Sequence, residues 1–491
     1  MNADSIGHAL EDDLAMRGAG IKLRMKKESQ LTTTQATWYG KLFTKLSDLY
    51  LKTTGPGKSY HLDRAIQVFI ILLCAGCVPT KATKTLKYEP GKAVQVVLDK
   101  PVVVSTSQVN EKRWGYHQFV SISPYPGDKI LLRFHVGADA VKAYGTASPA
   151  FISADKGKSW QPCTDESLPS SGMTYPLLNG HFICLGMAKP LNVKEAHLTL
   201  PPPAGKCFSY AWYLFYHLQE CPPQVQRFFE NMAAARWTPD SKQWQNDTLH
   251  YDSRKALIWT LAEGESSNLV PRTAFERPPL AFDKELLYAD YRTNYLDADD
   301  SVPPHLCVTC MVSQDNGRNW QRRSLIALDR KGKDALTEPM LAQNVNGELV
   351  CVIRRTDQEQ KSMLITFSKD KGETWETPRP LDQLGAFGVM PSLVSLESGI
   401  MALSYGRPGI WLSFSLSGTG REWTDPICLL EDDAKQPQSK TDGYTTLLAI
   451  GPNQLLLAYT DFNHKDAQGN QRKAVLVRKL TITGIKKIIS H

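Results

Sequence analysis

What the sequence lacks narrows its function before any motif is read. It has no block of lysine and arginine and no aromatic ladder interleaved with basic residues, so nucleic acid is not expected as a partner. Its formal charge of +7 is spread along 491 residues. Ten cysteines show no metal-ligand spacing. Cys307-Val308-Thr309-Cys310 has the CxxC form but no second pair and no histidine partner, which leaves core or edge thiols as the reading. No carboxylate cluster stands out for calcium, and neither a metal nor a cofactor is expected. No apolar run reaches the about 20 residues that a membrane-spanning helix needs. With 42% hydrophobic and 22% charged residues, the composition is that of an ordinary globular chain.

What is present is a recurring phrase. Ser153-Ala154-Asp155-Lys156-Gly157-Lys158-Ser159-Trp160 reads S-x-D-x-G-x-x-W, and the same spacing returns at Ser313–Trp320 and Ser368–Trp375. A worn copy, Ser415–Trp423, is one residue longer and has Ser417 where the aspartate belongs. Each copy follows a β-prone run such as Ser362–Phe367 and opens into another strand. That context predicts a hairpin turn in which the aspartate bonds backbone N–H groups, the glycine takes positive φ and the tryptophan plugs the turn against the sheet. These residues locate repeats and carry no chemistry.

The phrase resembles the Asp-box, or BNR repeat, of sialidase-like β-propellers. The resemblance implies an all-β chain forming a six-bladed β-propeller with Asp-box turns, for which the length leaves room at about 40–50 residues per blade. On this reading residues 116–491 form the propeller. Blade one runs from about Tyr116 to Trp160, and blade two starts near Tyr175 with strands at His181–Gly186 and Ala196–Leu200. Blade three spans about Phe275 to Trp320, blade four Glu338 to Trp375 and blade five Met390 to Trp423. Blade six runs from Tyr444 to a strand at Ala474–Ile482, and a final strand pairing with early residues would close the ring. An insertion at 201–235 holds an aromatic cluster, Tyr210, Trp212, Tyr213, Phe215 and Tyr216, and a helix near 224–235. It is read either as a cap over the binding face or as an outer decoration.

The same resemblance points to site residues. Glu338 precedes the turn residue Gly347 by nine positions and Arg354 follows it by seven, both spacings of the sialidase phrase. Asp442-Gly443-Tyr444 looks like the segment carrying the nucleophilic tyrosine, and Tyr405-Gly406-Arg407 is placed like the later carboxylate-binding arginine. Gly137-Ala138-Asp139 lies where the family keeps its acid/base aspartate. The resemblance therefore implies Tyr444 as nucleophile, Glu338 as its base, Asp139 as acid/base, and Arg354 and Arg407 as anion ligands. Arg277, opening blade three, is a further binding candidate. One position departs from the pattern: where the family opens blade one with a clamp arginine, this chain has His117, which removes a permanently charged bidentate donor.

In that chemistry a neutral phenol approaches a carboxylate-bearing anomeric carbon more easily than a carboxylate would, and a neighbouring glutamate takes its proton. The implied activity is an exo-acting glycoside hydrolase releasing sialic acid or a related acidic sugar. Two alternatives stay open: a non-catalytic Asp-box propeller that binds glycan or protein, and a propeller-type polysaccharide lyase. A glycan is the expected partner, and a monomer the expected state.

Ahead of the propeller, residues 1–64 form a polar extension, read as a short helix around 34–51, as disorder or as a start placed too far upstream. Residues 65–78, AIQVFIILLCAGCV, suit the apolar core of a signal peptide. They end on Cys74-Ala75-Gly76-Cys77, which resembles a bacterial lipobox with Cys77 as the lipidated residue. A signal anchor or a buried core segment are the other readings. Export to a bacterial cell envelope, with membrane attachment through this segment, or secretion follows as the expectation. Residues 79–115 are read as a linker with short strands.

Overall fold

Short apolar runs separated by Gly-, Asp- and Pro-rich turns dominate the chain from residue 81 onward, and they form strands. The computed structural model describes residues 81–89, 92–186, 188–209, 211–262, 267–270, 277–356, 361–385 and 388–484. The N-terminal extension, the 65–78 segment and Cys77 lie outside the described residues, as do Tyr210, Phe275 and Glu276. The described part is nearly all-β, with one α-helix, Pro223–Glu230, among the described residues. No helix among them is long and apolar enough to cross a membrane.

Three sheets are plain four-stranded antiparallel meanders. One holds Tyr116–Tyr125, Lys129–Val136, Ala150–Ser153 and Gln161–Pro162; another Ala335–Gln343, Leu349–Thr356, Leu364–Ser368 and Arg379–Pro380; the third Val389–Ser395, Met401–Gly406, Ile410–Ser415 and Ile427–Leu430. An eight-stranded sheet contains two further antiparallel sets of four, from Met173–Pro176 to Trp244–Tyr251 and from Leu280–Phe282 to Asn319–Ala327. They are fused edge to edge by parallel pairing of His250 with Asn319 and Tyr251 with Trp320. In the last sheet Gln471–Thr483 pairs with Gln454–Lys465 on one side and with Val102–Thr106 and Lys92–Asp99 on the other. Lys81–Glu89 pairs in turn with Lys92–Asp99, so strands from the stretch read as a linker with short strands belong to that sheet.

The hydrophobic cores lie between neighbouring sheets. Met340, Val350, Val352 and Phe367 of one sheet pack against Leu393, Met401, Leu403 and Tyr405 of the next. The first strands stand side by side: Ala335–Gln343 beside Val389–Ser395, that strand beside Thr446–Gly451, and Thr446–Gly451 beside Tyr116–Tyr125. First strands therefore share one central region, and the residues opening them meet there.

The material around 201–235 differs from the expectation. Ala196–Leu200 is irregular, and the strand near it is Leu191–Asn192. The helix ends at Glu230, and Asn231–Trp237 belongs to the main sheet, paired with Phe182–Leu185 and Trp244–Tyr251. The added element is a separate sheet built from Leu191–Asn192, Gly205–Phe208, Trp212–His217, Ala256–Leu261 and Asn268–Leu269, with Asn294–Tyr295 on its flank. Its pieces come from three stretches of sequence, so no single insertion could be read from the chain.

The recurring turns share one geometry. In all three intact copies the serine hydroxyl donates to the aspartate at 2.8 Å and accepts the glycine N–H at 2.8–2.9 Å. The aspartate also accepts the backbone N–H four residues on at 2.8–2.9 Å. The glycines sit at φ of +82°, +81° and +85°. In the worn copy Ser415 still accepts the N–H of Gly420 at 3.0 Å, while Glu422 takes bonds from Ser417 and Thr419 in place of the missing aspartate. Hydrogen bonds from Thr374 and then Ser368 outweigh desolvation and lower the Asp370 pKa to about 2. A depressed folded-state value means stability that is present above the unfolded pKa near 3.9 and lost as pH falls toward the folded one. Asp370→Asn is expected to cost about 1 kcal/mol at pH 7, and the gap between variant and wild type in chemical unfolding should close between about pH 4 and pH 2. A gap that stays constant over that range would refute the assignment.

Candidate functional site

Three irregularities in first strands aim side chains into the central region. The Ala335–Gln343 strand slips register between Thr337 and Met340, and Glu338, inside the bulge, has φ +47° ahead of Pro339. The Val389–Ser395 strand slips between Val389 and Ser392, with Met390 at φ +44° ahead of Pro391. Tyr116–Tyr125 slips twice, with His117 at +53° and Phe119 at +55°. Left-handed backbone at bulky residues is costly, and such strain persists only where surrounding contacts over-determine it. A bulge re-aims one side chain and leaves the rest of the strand in register.

Glu338 is the hub. Its Oε1 accepts from Arg354 Nη1 at 2.6 Å and from the Tyr444 hydroxyl at 3.0 Å, and its Oε2 accepts the Met390 N–H at 2.7 Å. Glu338 and Arg354 are 7% and 9% exposed. Burial alone would raise the Glu338 pKa; Arg354, the Met390 N–H, Arg407 and the Tyr444 hydroxyl outweigh it and hold the carboxyl below its ordinary range. Tyr444 moves the other way: burial, then the Glu338 charge, raises its pKa, while Arg354 and Arg407 pull it down. At rest the proton therefore sits on the phenol and the charge on the carboxylate.

Tyr444 is fixed from behind by Asp442, whose Oδ1 accepts the Tyr444 N–H at 2.9 Å and whose Oδ2 accepts the Phe119 N–H at 2.7 Å. This fully buried carboxyl, its pKa raised by desolvation, ties the start of the last sheet to the bulge of the first. Arg407 reaches the same place because backbones touch: a Cβ on Gly406 would lie 2.0 Å from the Gly443 carbonyl oxygen. Its Nε donates to the Asp442 carbonyl at 2.9 Å, and its guanidinium carbon stands 5.3 Å from the Tyr444 ring centroid.

A cavity of about 290 Å³ opens over Glu338 and Tyr444, and Arg354 and Arg407, expected as anion ligands, stand behind them and are not among its lining residues. Among its lining residues are Glu338, Tyr444, Asp139, His135, Phe119, Arg133, Arg277 and Arg292. Asp139 shares the cavity with Tyr444 and accepts the Trp114 indole N–H at 2.9 Å. Arg277 donates to the carbonyl oxygens of Thr445 and Met390, joining three sheets beneath the cavity. The structure thus brings together Tyr444, Glu338, Asp139, Arg354, Arg407 and Arg277.

His117 is the exception. It faces away, with Nε2 3.3 Å from the Ser105 hydroxyl and its ring against Phe134, and burial lowers its pKa. The double slip in its strand puts Phe119 in the cavity instead, edge-on to Tyr444 at 4.9 Å. Sequence reasoning placed no role on Phe119, Met390, Asp442, Trp114 or His135. Only the Met390-Pro391 pair, matching Glu338-Pro339, carried a readable signal. Among the described residues no group of three or more His, Cys, Asp or Glu side chains is placed to hold a metal ion.

Residues 213–445 match the model of the BNR repeat-like domain. The chain is similar in fold to a solved protein of unknown function from Dyadobacter fermentans DSM 18053, at 18% identity and TM-score 0.55, covering 79% of this chain and 99% of that one. A Hadza microbial sialidase aligns at 15% identity and TM-score 0.46, covering 78% and 71%. A Penicillium chrysogenum alpha-L-arabinanase aligns at 15% and 0.47, covering 77% and 98%. No curated protein matches.

Replacing Glu338 by Gln leaves the buried Arg354 without its counter-charge, a loss of about 3 kcal/mol. Because the folded-state pKa is depressed, that penalty should be full above the unfolded value near 4.3 and shrink as pH falls below it. Chemical unfolding of Glu338→Gln against wild type from pH 7 to pH 3 measures it; a penalty unchanged across that range would contradict the ion pair.

Proposed function

We propose that this chain, which carries a BNR repeat-like domain of the sialidase-like propeller superfamily, is a six-bladed propeller acting as an exo-glycoside hydrolase on a terminal sialic acid or related acidic sugar. The observation that carries this reading is the 3.0 Å hydrogen bond from the Tyr444 hydroxyl to Glu338 at the base of a cavity that Asp139 also lines.

The steps follow from where the protons rest. The Tyr444 oxygen attacks the anomeric carbon as Glu338 takes the phenol proton, and the glycosidic C–O bond breaks with its electron pair going to the leaving oxygen. Asp139 delivers a proton to that oxygen. Water then attacks the same carbon, giving a proton back to Asp139, and the tyrosine–carbon bond breaks as Glu338 returns the phenol proton. Burial makes phenolate formation costly; Arg354 and Arg407 lower that cost because both stabilise negative charge on Tyr444. Glu338, which against the pull of desolvation is held below the ordinary carboxyl range by Arg354, the Met390 N–H, Arg407 and the Tyr444 hydroxyl, is in the charged form that accepts this proton.

The displacement of His117 favours a second reading, a non-catalytic propeller that binds glycan, since it leaves the anion clamp with fewer arms than the family pattern. Turnover of aryl sialosides and aryl uronides separates the two. Tyr444→Phe should keep the fold, judged by far-ultraviolet circular dichroism, and lower kcat/KM by about 100-fold or more. Unchanged turnover in a folded variant would remove Tyr444 as nucleophile. Growth of the ultraviolet absorbance of an unsaturated uronate would identify a lyase instead.

A further inference from the structure

The carboxylate assigned as acid/base sits on an exposed turn, where nothing in the sequence explains what orients it. Asp139 follows Gly137 and Ala138 after the strand Lys129–Val136, and its Oδ2 accepts the indole N–H of Trp114 at 2.9 Å. We propose, resting on the hydrolase reading above, that Trp114 is a positioning residue that fixes which oxygen of Asp139 carries the catalytic proton.

An indole nitrogen donates and never accepts. The oxygen facing it serves as an acceptor, and because a carbonyl oxygen accepts better than a hydroxyl one, the proton of the acid form is favoured on Oδ1. Without that partner a carboxyl on an open turn has two equivalent oxygens and free rotation about its last bond, and each rotamer presents the proton differently.

Trp114 is itself held on several sides. Its ring lies edge-on to Phe119 at 5.7 Å, and the guanidinium carbon of Arg407 is 5.7 Å from its centroid. The backbone beside it touches the Asp139 turn directly. Gly115, at φ +89°, has room for no Cβ, which would fall 2.2 Å from the Gly137 oxygen and 2.7 Å from the Asp139 nitrogen. The Gly115 carbonyl pairs with His135 Nδ1 at 2.9 Å. Segments 114–115 and 135–139 are therefore bound together through an indole, a ring nitrogen and a backbone contact. Through Trp114 the acid/base turn is also coupled to Arg407 and Phe119, which flank Tyr444.

The reaction offers a readout that a merely structural role would not move. A leaving group that departs as a stable anion needs no proton from Asp139, whereas an alkoxide does. Trp114→Phe keeps the aromatic ring and removes the N–H. With methyl α-sialoside or methyl uronide, kcat should fall about 10-fold or more, at nearly constant KM. With the 2,4-dinitrophenyl counterpart kcat/KM, which reports bond cleavage before Asp139 acts as base, should change by no more than about twofold. Equal losses on both substrates, or none on either, overturn the positioning role while the hydrolase reading stands. A wild-type protein that turns over neither class removes both. Independently, the indole 15N–H resonance absent from Trp114→Phe should shift with pH in the wild type and lose that titration in Asp139→Asn; a resonance indifferent to Asp139 also overturns the proposal.

Discussion

One buried carboxylate sets the terms for the centre of this protein. Glu338 accepts hydrogen bonds from an arginine, a phenol and a backbone amide of the next sheet. A carboxylate removed from water is tolerated only when paired and fully bonded, and here the partners come from Arg354 in its own sheet, Met390 in the neighbour and Tyr444 in the last one. The left-handed backbone at Glu338 and Met390 is part of the same arrangement. Each bulge is held by what its side chain or amide reaches, so the strain and the hydrogen bonds over-determine one another.

The division of labour between the rim and the centre follows from bonding. On the rim, repeated Ser–Asp–Gly turns satisfy their own backbone amides with their own side chains, which makes them alike wherever they occur, and neighbouring strands reach them only through outlying groups such as the Gly372 carbonyl and Asn316. At the centre the first strands share bulges, yet each contributes a different partner to a shared cluster. Repetition builds the scaffold, and departures from repetition build the cavity.

This contrast decides what was legible in the chain. The three intact turns were readable because their geometry is local, and the degenerate fourth was readable despite losing its aspartate because serine, glycine and tryptophan remained. Glu338, Arg354, Arg407 and Tyr444 could be named from spacing against a known pattern, and the structure gathers them. His117 was misplaced for a local reason: it stands where the family pattern puts a clamp arginine, but two register slips turn the histidine away from the cavity and bring Phe119 in, and no count of residues reveals a slip. Asp442 and Trp114 act across long sequence separations, through the amide of Phe119 and the carboxylate of Asp139, so no local signal announces them. The side sheet was missed because its strands come from three separate stretches, each too short to be periodic.

The pairing of Gln471–Thr483 with both Gln454–Lys465 and the 92–106 strands has a bearing on how the molecule is made. Val97 lies against Thr481 and Val103 against Leu476, so this sheet joins partners at nearly the full span of the described chain. Contacts of such separation form late, after the entropy of a very long loop has been overcome. During synthesis the early hairpin must wait, its edge open, until the strand Gln471–Thr483 has emerged from the ribosome. The interval before closure is the time when the nascent chain is most exposed to wrong pairing.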